Sequence, residues 1–203
     1  MKIALIGATG NGGSRILAEL LRRGHEVTGI ARHPEKLPPQ ANLVAHRGDA
    51  NDEDGLAGLL SGHDAVLSAG RFVSVNPRTL IAALKKANVN RLLVVGGAGS
   101  LEVAQGVQLV DTPQFPAAAK HEALAGREFL NVLRGEQELD WTFLSPSRLF
   151  APGERTGKFR LGTDQLLVGE NGESKISLED FAVALVDELE TPRHSRQRFT
   201  VGY

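Results

Sequence analysis

Cysteine is absent from this chain of 203 residues, which removes disulfides, thiolate metal sites and cysteine nucleophiles together. Aromatic residues make up only 5% of it, with one tryptophan and one tyrosine, Tyr203. No apolar run approaches the roughly 18–20 residues of a membrane-spanning helix. Charge of neither sign dominates: 23 Lys and Arg face 24 Asp and Glu, so neither nucleic acid nor an anionic membrane surface is an expected partner. His25, His33, His46 and His63 stand scattered between elements with no metal-ligand spacing, and no metal is expected. No leader-like sequence precedes the first strand, so the expected compartment is the cytoplasm.

What is present is concentrated at the start. An apolar strand, Lys2 to Ile6, runs into Gly7-Ala8-Thr9-Gly10-Asn11-Gly12-Gly13, and an amphipathic helix follows. Strand, glycine turn and helix in that order bind the pyrophosphate of a dinucleotide. One glycine permits the tight turn, one lets the backbone approach the phosphates, and one lets helix and sheet pack closely. The helix offers unpaired N–H groups and its positive dipole end to the anion. Valine at Gly10 or Gly13 is therefore expected to abolish cofactor binding with the fold largely intact.

The periodicity continues the pattern. Ile16, Leu17, Leu20 and Leu21 share one helical face, with Arg15, Glu19, Arg22 and Arg23 on the polar face. Strands are expected at Glu26 to Ala31, Leu43 to His46, Ala65 to Ser68, Leu92 to Val95, Trp141 to Ser145 and Phe199 to Val201. Helices are expected around Asp54–Leu60, along the Leu80, Ile81, Leu84 and Ala87 stripe, over Lys120–Arg134, and over a final segment capped by Ser177 and Asp180. Leu101 to Pro116 is poorly patterned, and short strand-like pieces lie at Lys158–Leu161 and Leu166–Val168. Alternating strands and helices with right-handed crossovers give a doubly wound, Rossmann-type parallel sheet in one domain spanning 1–203. Residues 146–203 are expected to form an irregular substrate-side lobe and the last strand.

The dinucleotide is read from the end of the second strand. An NAD site carries Asp or Glu there for the ribose 2′-hydroxyl, whereas this strand ends Ile30-Ala31-Arg32. Arg32 would pair with a 2′-phosphate, favouring NADP, with NADPH preferred over NADH. Asp49 and Ala50, after the third strand, are placed to meet the adenine; Asp49 reads equally as a turn residue. Ala69, Gly70 and Arg71 follow the fourth strand, Gly96 and Gly97 the fifth, and Ser145 and Pro146 the sixth. Ligands lie outside such carboxyl ends, so these join Gly7, Thr9, Gly10, Asn11, Gly12 and Gly13 as candidate cofactor contacts. Ser100, at the end of Gly96-Gly97-Ala98-Gly99-Ser100, and Lys120 and His121, on the next helix, are the candidate catalytic residues.

GATGNGG, the arginine after strand two, GDAND after strand three, VVGGAGS after strand five and DWTFLSPS at strand six together resemble the atypical short-chain dehydrogenase/reductase family. Within it the chain is most similar to the small NADH-flavin reductases, relatives of NmrA-like proteins and of biliverdin-IXβ/flavin reductases. The resemblance implies a Rossmann-type fold, an NAD(P) site and reduction of flavin-like acceptors. It also exposes a departure. The main short-chain reductases use Tyr-x-x-x-Lys after strand five, the tyrosine protonating the carbonyl oxygen, but here Pro116 stands four residues before Lys120.

Without that acid a simple ketone is a poor acceptor, because its alkoxide is strongly basic. A flavin or quinone accepts hydride given alignment alone. The expected function is NADPH-dependent reduction of a flat conjugated small molecule, with a weak dependence, about tenfold or less, on each of Ser100, Lys120 and His121. The competing expectation is an NADP-binding sensor of NmrA-like type with little or no catalysis. A sugar-nucleotide epimerase or dehydratase fits less well, since it needs the tyrosine and a larger C-terminal domain. The acceptor's identity and the oligomeric state stay open.

Overall fold

The computed structural model describes residues 1–203. In chain order the elements are β1 (Lys2–Ile6), α1 (Asn11–Arg22), β2 (Glu26–Ala31), β3 (Leu43–Arg47), α2 (Glu53–Leu60), β4 (Ala65–Ser68), α3 (Pro77–Lys86) and β5 (Arg91–Val95). Then come β6 (Glu102–Ala104), β7 (Val107–Gln108), α4 (Ala117–Arg134), β8 (Asp140–Ser145), β9 (Leu149–Ala151), β10 (Arg160–Gly162), β11 (Lys175–Ser177), α5 (Leu178–Glu190) and β12 (Gln197–Gly202). Eight strands form one sheet in the order β10-β12-β8-β5-β4-β1-β2-β3. All neighbours are parallel except β10, which runs antiparallel to β12. The chain leaves β1 toward one edge and returns through β4 toward the other, so the strand order reverses between β1 and β4. That reversal opens the crevice in which doubly wound folds bind ligands.

Helices cover both faces, which is why the central strands are apolar at successive positions. One core layer joins Leu56, Leu80, Leu84 and Phe129 of α2, α3 and α4 to Trp141 and Phe143 of β8. The other joins Ile16 and Leu20 of α1 to Phe181 and Leu185 of α5 over Leu5, Leu67 and Phe199. No helix is long and apolar enough to cross a membrane.

Several expectations are corrected. The unpatterned stretch after Leu101 contains the hairpin β6–β7, and β9 pairs in parallel with β11. Leu166–Val168 is not a strand; Gln165 instead makes a single bridge to Glu102. Residues 146–203 divide: α5 and β12 belong to the main body, and only the stretch up to β11 is irregular. Glu19, expected on the solvent face, is 4% exposed. Arg155, from the irregular segment, crosses over it with two hydrogen bonds of 2.9 and 3.0 Å, and Arg22 and Arg23 also bind it. Three guanidiniums make a buried carboxylate tolerable where water would otherwise be needed.

Tyr203 is structural. Its hydroxyl donates to Asp180 at 2.8 Å and accepts from the Ser177 N–H at 3.3 Å. Ser177 Oγ caps α5 by accepting from the Asp180 N–H, as the sequence predicts. The Asp180 carboxylate then turns to the N–H groups of Thr156 and Gly157, both at 2.8 Å. Burial of Asp180, which is 0% exposed, opposes its charge, but the bonds from Thr156, Gly157 and Tyr203 outweigh this and hold its pKa below the usual carboxylate range. Its folded pKa is thus lower than its unfolded one. The stabilisation is complete above the unfolded value, about 3.9, and disappears as pH falls through the folded value. Asp180→Asn is expected to be less stable than wild type at neutral pH and to lose less stability on acidification. Urea unfolding across that range checks this; an equally steep acid loss in the variant would remove Asp180 from the account.

Candidate functional site

The glycine turn joins β1 to α1 at the point where the sheet order reverses. Gly7 has φ +81°, a left-handed conformation open to glycine at no steric cost, and a Cβ there would lie 2.9 Å from the Ala69 carbonyl group. A Cβ on Gly13 would stand 2.1 Å from the Gly7 oxygen, so this glycine sets how closely helix and strand approach. On Gly10 it would meet only the Gly7 oxygen, at 3.3 Å, and on Gly12 nothing. Gly10 caps α1 without a side chain, and the first turn holds no acid. The positive end of the helix is therefore open to an anion, with Thr9, Asn11 and Gly12 around it, and these residues fit a dinucleotide pyrophosphate.

At the ends of β2 and β3 the structure adds a residue that the sequence reading missed. Ala31 pairs with Arg47 in register, and Arg47 Nε donates to the Arg32 carbonyl at 3.2 Å. Two exposed guanidiniums thus share the edge formed by the ends of β2 and β3. The nearby carboxylate of Glu35 is engaged by His33 at 3.0 Å. Asp49 makes an Asx turn, accepting from the Asn51 N–H at 2.9 Å, and Ala50 behind it is buried. Asn51 ties this loop to the next, donating to the Ser74 carbonyl and accepting from the Asn76 N–H, both at 2.9 Å.

Beyond β4 the chain turns through Ala69, Gly70 and Arg71. A Cβ on Gly70 would lie 2.6 Å from Val75 Cγ2, so a larger residue there would have to displace that side chain. The side chain of Glu122 on α4 accepts from the Phe72 N–H at 2.7 Å and reaches Arg71 at 3.5 Å. The turn after β5 packs tightly. A Cβ on Gly96 would lie 2.5 Å from the Phe143 ring, and one on Gly99 would lie 2.8 Å from Ala123 of α4; Gly97 is less crowded and borders open space. Between this turn and α4 lies a cavity of about 300 Å³ bordered by Phe72, Gly97, Ser100, Phe115, Glu122 and Arg148, among others.

Only part of the expected catalytic set meets there. Ala119, Glu122, Ala123 and Gly126, at helical spacing, give α4 its cavity face. Lys120 and His121 fall on the neighbouring face, exposed and outside the lining. Ser100 lines the cavity but is itself buried, and its hydroxyl is held by Arg198 of β12, whose Nη1 donates to Ser100 Oγ at 3.3 Å and to Ser145 Oγ at 3.4 Å. Ser145 and Pro146 are buried and are not among the residues lining this cavity. Arg198 escaped the sequence reading. The available signal was an arginine immediately before the Phe199-Thr200-Val201 segment of the last strand.

Against known proteins, the profile of an NAD(P)H-binding family matches residues 7–192. The Bacillus subtilis protein YwnB is 41% identical over 208 residues, covering 99% of this chain and 98% of its own. A Burkholderia pseudomallei structure described as a "putative exported protein" is 50% identical with a TM-score of 0.91, all of both chains being covered. A Streptococcus pneumoniae structure described as a "putative NADH-flavin reductase" is 36% identical with a TM-score of 0.83, covering 100% of this chain and 99% of that one.

Proposed function

Because the chain belongs to this NAD(P)H-binding family, we propose that it is an NADPH-dependent oxidoreductase that reduces a flat conjugated acceptor of the flavin or quinone kind. The observation that carries this reading is the cavity beside the turn after β5. It is walled by Phe72, Phe115 and the small residues of α4, opens at the carboxyl edge of the sheet, and has no tyrosine in its lining. An apolar slot of this size suits a ring system held by contact area.

The glycine turn and the amino end of α1 hold the pyrophosphate, and Arg32 with Arg47 holds the 2′-phosphate. Asp49, Ala50 and Asn51 border the adenine, and the turns at Ala69–Arg71 and Gly96–Gly97 border the ribose and nicotinamide. Bound there, the reduced cofactor supplies hydride. The protein's own work is alignment: the cavity walls fix the acceptor against the turn and exclude water from it. The cytoplasm, where reduced nicotinamide is regenerated, is the compartment this reading requires.

The test is NADPH oxidation by the purified protein with FMN, FAD, riboflavin, a quinone and a simple ketone in turn. Turnover is expected with the flavins or the quinone and not with the ketone. Lys120→Ala and His121→Ala are expected to stay within about tenfold of wild type, whereas loss of a general acid costs about 10²–10⁴. Tight NADPH binding without turnover of any acceptor would favour the NADP-responsive sensor instead. A large loss in either variant would reveal a proton donor that this mechanism lacks.

A further inference from the structure

Arg198 has no task in the alignment mechanism, yet it is the most deeply placed charge near the cavity. Its side chain is 3% exposed, while that of its counter-ion Asp164 is 54% exposed. Nε donates to Asp164 Oδ1 at 2.8 Å, and Nη1 lies between Ser100 Oγ and Ser145 Oγ. Burial lowers the guanidinium's pKa and Asp164 opposes that shift; an arginine stays protonated in proteins regardless. A buried cation with a half-exposed partner is costly to keep, and this one points at the end of the sheet where the chemistry is placed.

A guanidinium only donates. Ser100 Oγ therefore accepts from it, and the serine's own proton remains free for another acceptor. Ser145 Oγ, wholly buried, occupies the other position on Nη1 and keeps the guanidinium in place. Ser100 is one of the residues lining the cavity, and its O–H is the hydroxyl proton of that lining left without an acceptor by the bond from Arg198. When a neutral conjugated acceptor gains hydride, a new C–H or N–H bond forms and the added electron pair appears as negative charge on a heteroatom of the ring system. We propose that Ser100, polarised by Arg198, donates a hydrogen bond to that heteroatom and stabilises the anion as it forms. The proton that completes the reduction comes from water after release. Ser100 is then a catalytic residue and Arg198 a positioning residue, which separates Ser100 from Lys120 and His121. Donors aimed at developing charge in a water-poor site act strongly because nothing must reorganise when the charge appears.

This inference rests on the reading of the cavity as the acceptor site, so its first test uses neither cofactor nor turnover. 4-Nitrophenol is titrated into wild type, Ser100→Ala, Arg198→Met and Arg198→Lys, and the bound phenolate is followed by its visible absorbance. Wild type is expected to favour phenolate over phenol by about tenfold relative to water, corresponding to one pKa unit. Ser100→Ala and Arg198→Met should lose that preference, Arg198→Lys should recover part of it, and Ser100→Ala/Arg198→Met should be no worse than either single change. Asp164, being half-exposed, is hydrated when Arg198 is replaced, and Ser100→Ala carries the test even where Arg198→Met unfolds. With FMN and NADPH, Ser100→Ala is expected to lower kcat by about a hundredfold, with KM nearly unchanged. Failure of wild type to bind the phenolate, or an equal preference in Ser100→Ala, overturns the proposal. A phenolate preference abolished by Ser100→Ala, without turnover of any acceptor, would leave the donor standing and sink the enzymatic reading.

Discussion

Gly13→Val is expected to cost about 4 kcal/mol or more of stability, whereas Gly10→Val is expected to fold and to bind NADPH at least about a hundredfold more weakly than wild type. The two positions look equivalent in the glycine pattern and differ in space. The added Cβ at Gly13 would lie 2.1 Å from a backbone oxygen of the same turn, a clash no rotamer can relieve. The helix must move off the sheet, carrying Ile16 and Leu20 with it. For a domain whose total stability is about 5–15 kcal/mol, that is a large fraction. At Gly10 the Cβ meets one oxygen at 3.3 Å, so the fold survives, but the branched side chain stands over the helix terminus that receives the pyrophosphate. Thermal unfolding of both variants and calorimetric NADPH titration of Gly10→Val check this. Normal NADPH affinity in Gly10→Val would make the turn purely architectural and remove the basis of the cofactor assignment. This result differs from the expectation that either glycine reports on binding alone.

Arg32→Ala and Arg47→Ala are each expected to weaken NADPH binding by roughly ten- to a hundredfold while leaving NADH binding nearly unchanged. A charge-assisted hydrogen bond contributes about 1.5–3 kcal/mol, and 1.4 kcal/mol is a factor of ten. Both side chains are exposed, so added salt should weaken NADPH binding in wild type and shrink the difference between the cofactors. Arg47 is anchored to the end of β2 through the Arg32 carbonyl, whose oxygen survives the Arg32→Ala change. Because the two guanidiniums share one phosphate, the losses should be coupled and not additive. Wild type binding NADH and NADPH equally well would refute the 2′-phosphate assignment for both residues.

The sheet was legible because its strands are short apolar runs at regular spacing, and β1, β2 and β4 fall at the expected residues. Ser177 as the cap of α5 was legible for the same reason: the signal is local. Features created by contacts distant in sequence were not. Glu19 reads as a surface residue on α1, and the Arg155 that crosses over it comes from a segment with no periodicity. Arg47 becomes a cofactor candidate only when the β2–β3 register places it beside Ala31. The helical stripe that lines the cavity was hidden because Ala119, Ala123 and Gly126 carry no chemical signature, while Lys120 and His121 carry one and face elsewhere. Arg198 illustrates the same limit. Its meaning depends on β12 lying beside β8, which brings it to Ser100 and Ser145.

Trp141 is 3% exposed at the amino end of β8, the end of the sheet opposite the glycine turn and the cavity, and its indole N–H donates to the Glu136 carbonyl at 3.4 Å. The protein therefore carries a single intrinsic fluorophore of the indole type, sealed in the core. Its emission follows the packing of β8 against α4, and binding of reduced nicotinamide or flavin in the crevice would quench it by energy transfer. In the ligand-free protein that emission reports folding alone, and its quenching on addition of NADPH reports binding, so folding defects and binding defects in the variants above are read from one residue in two separate measurements.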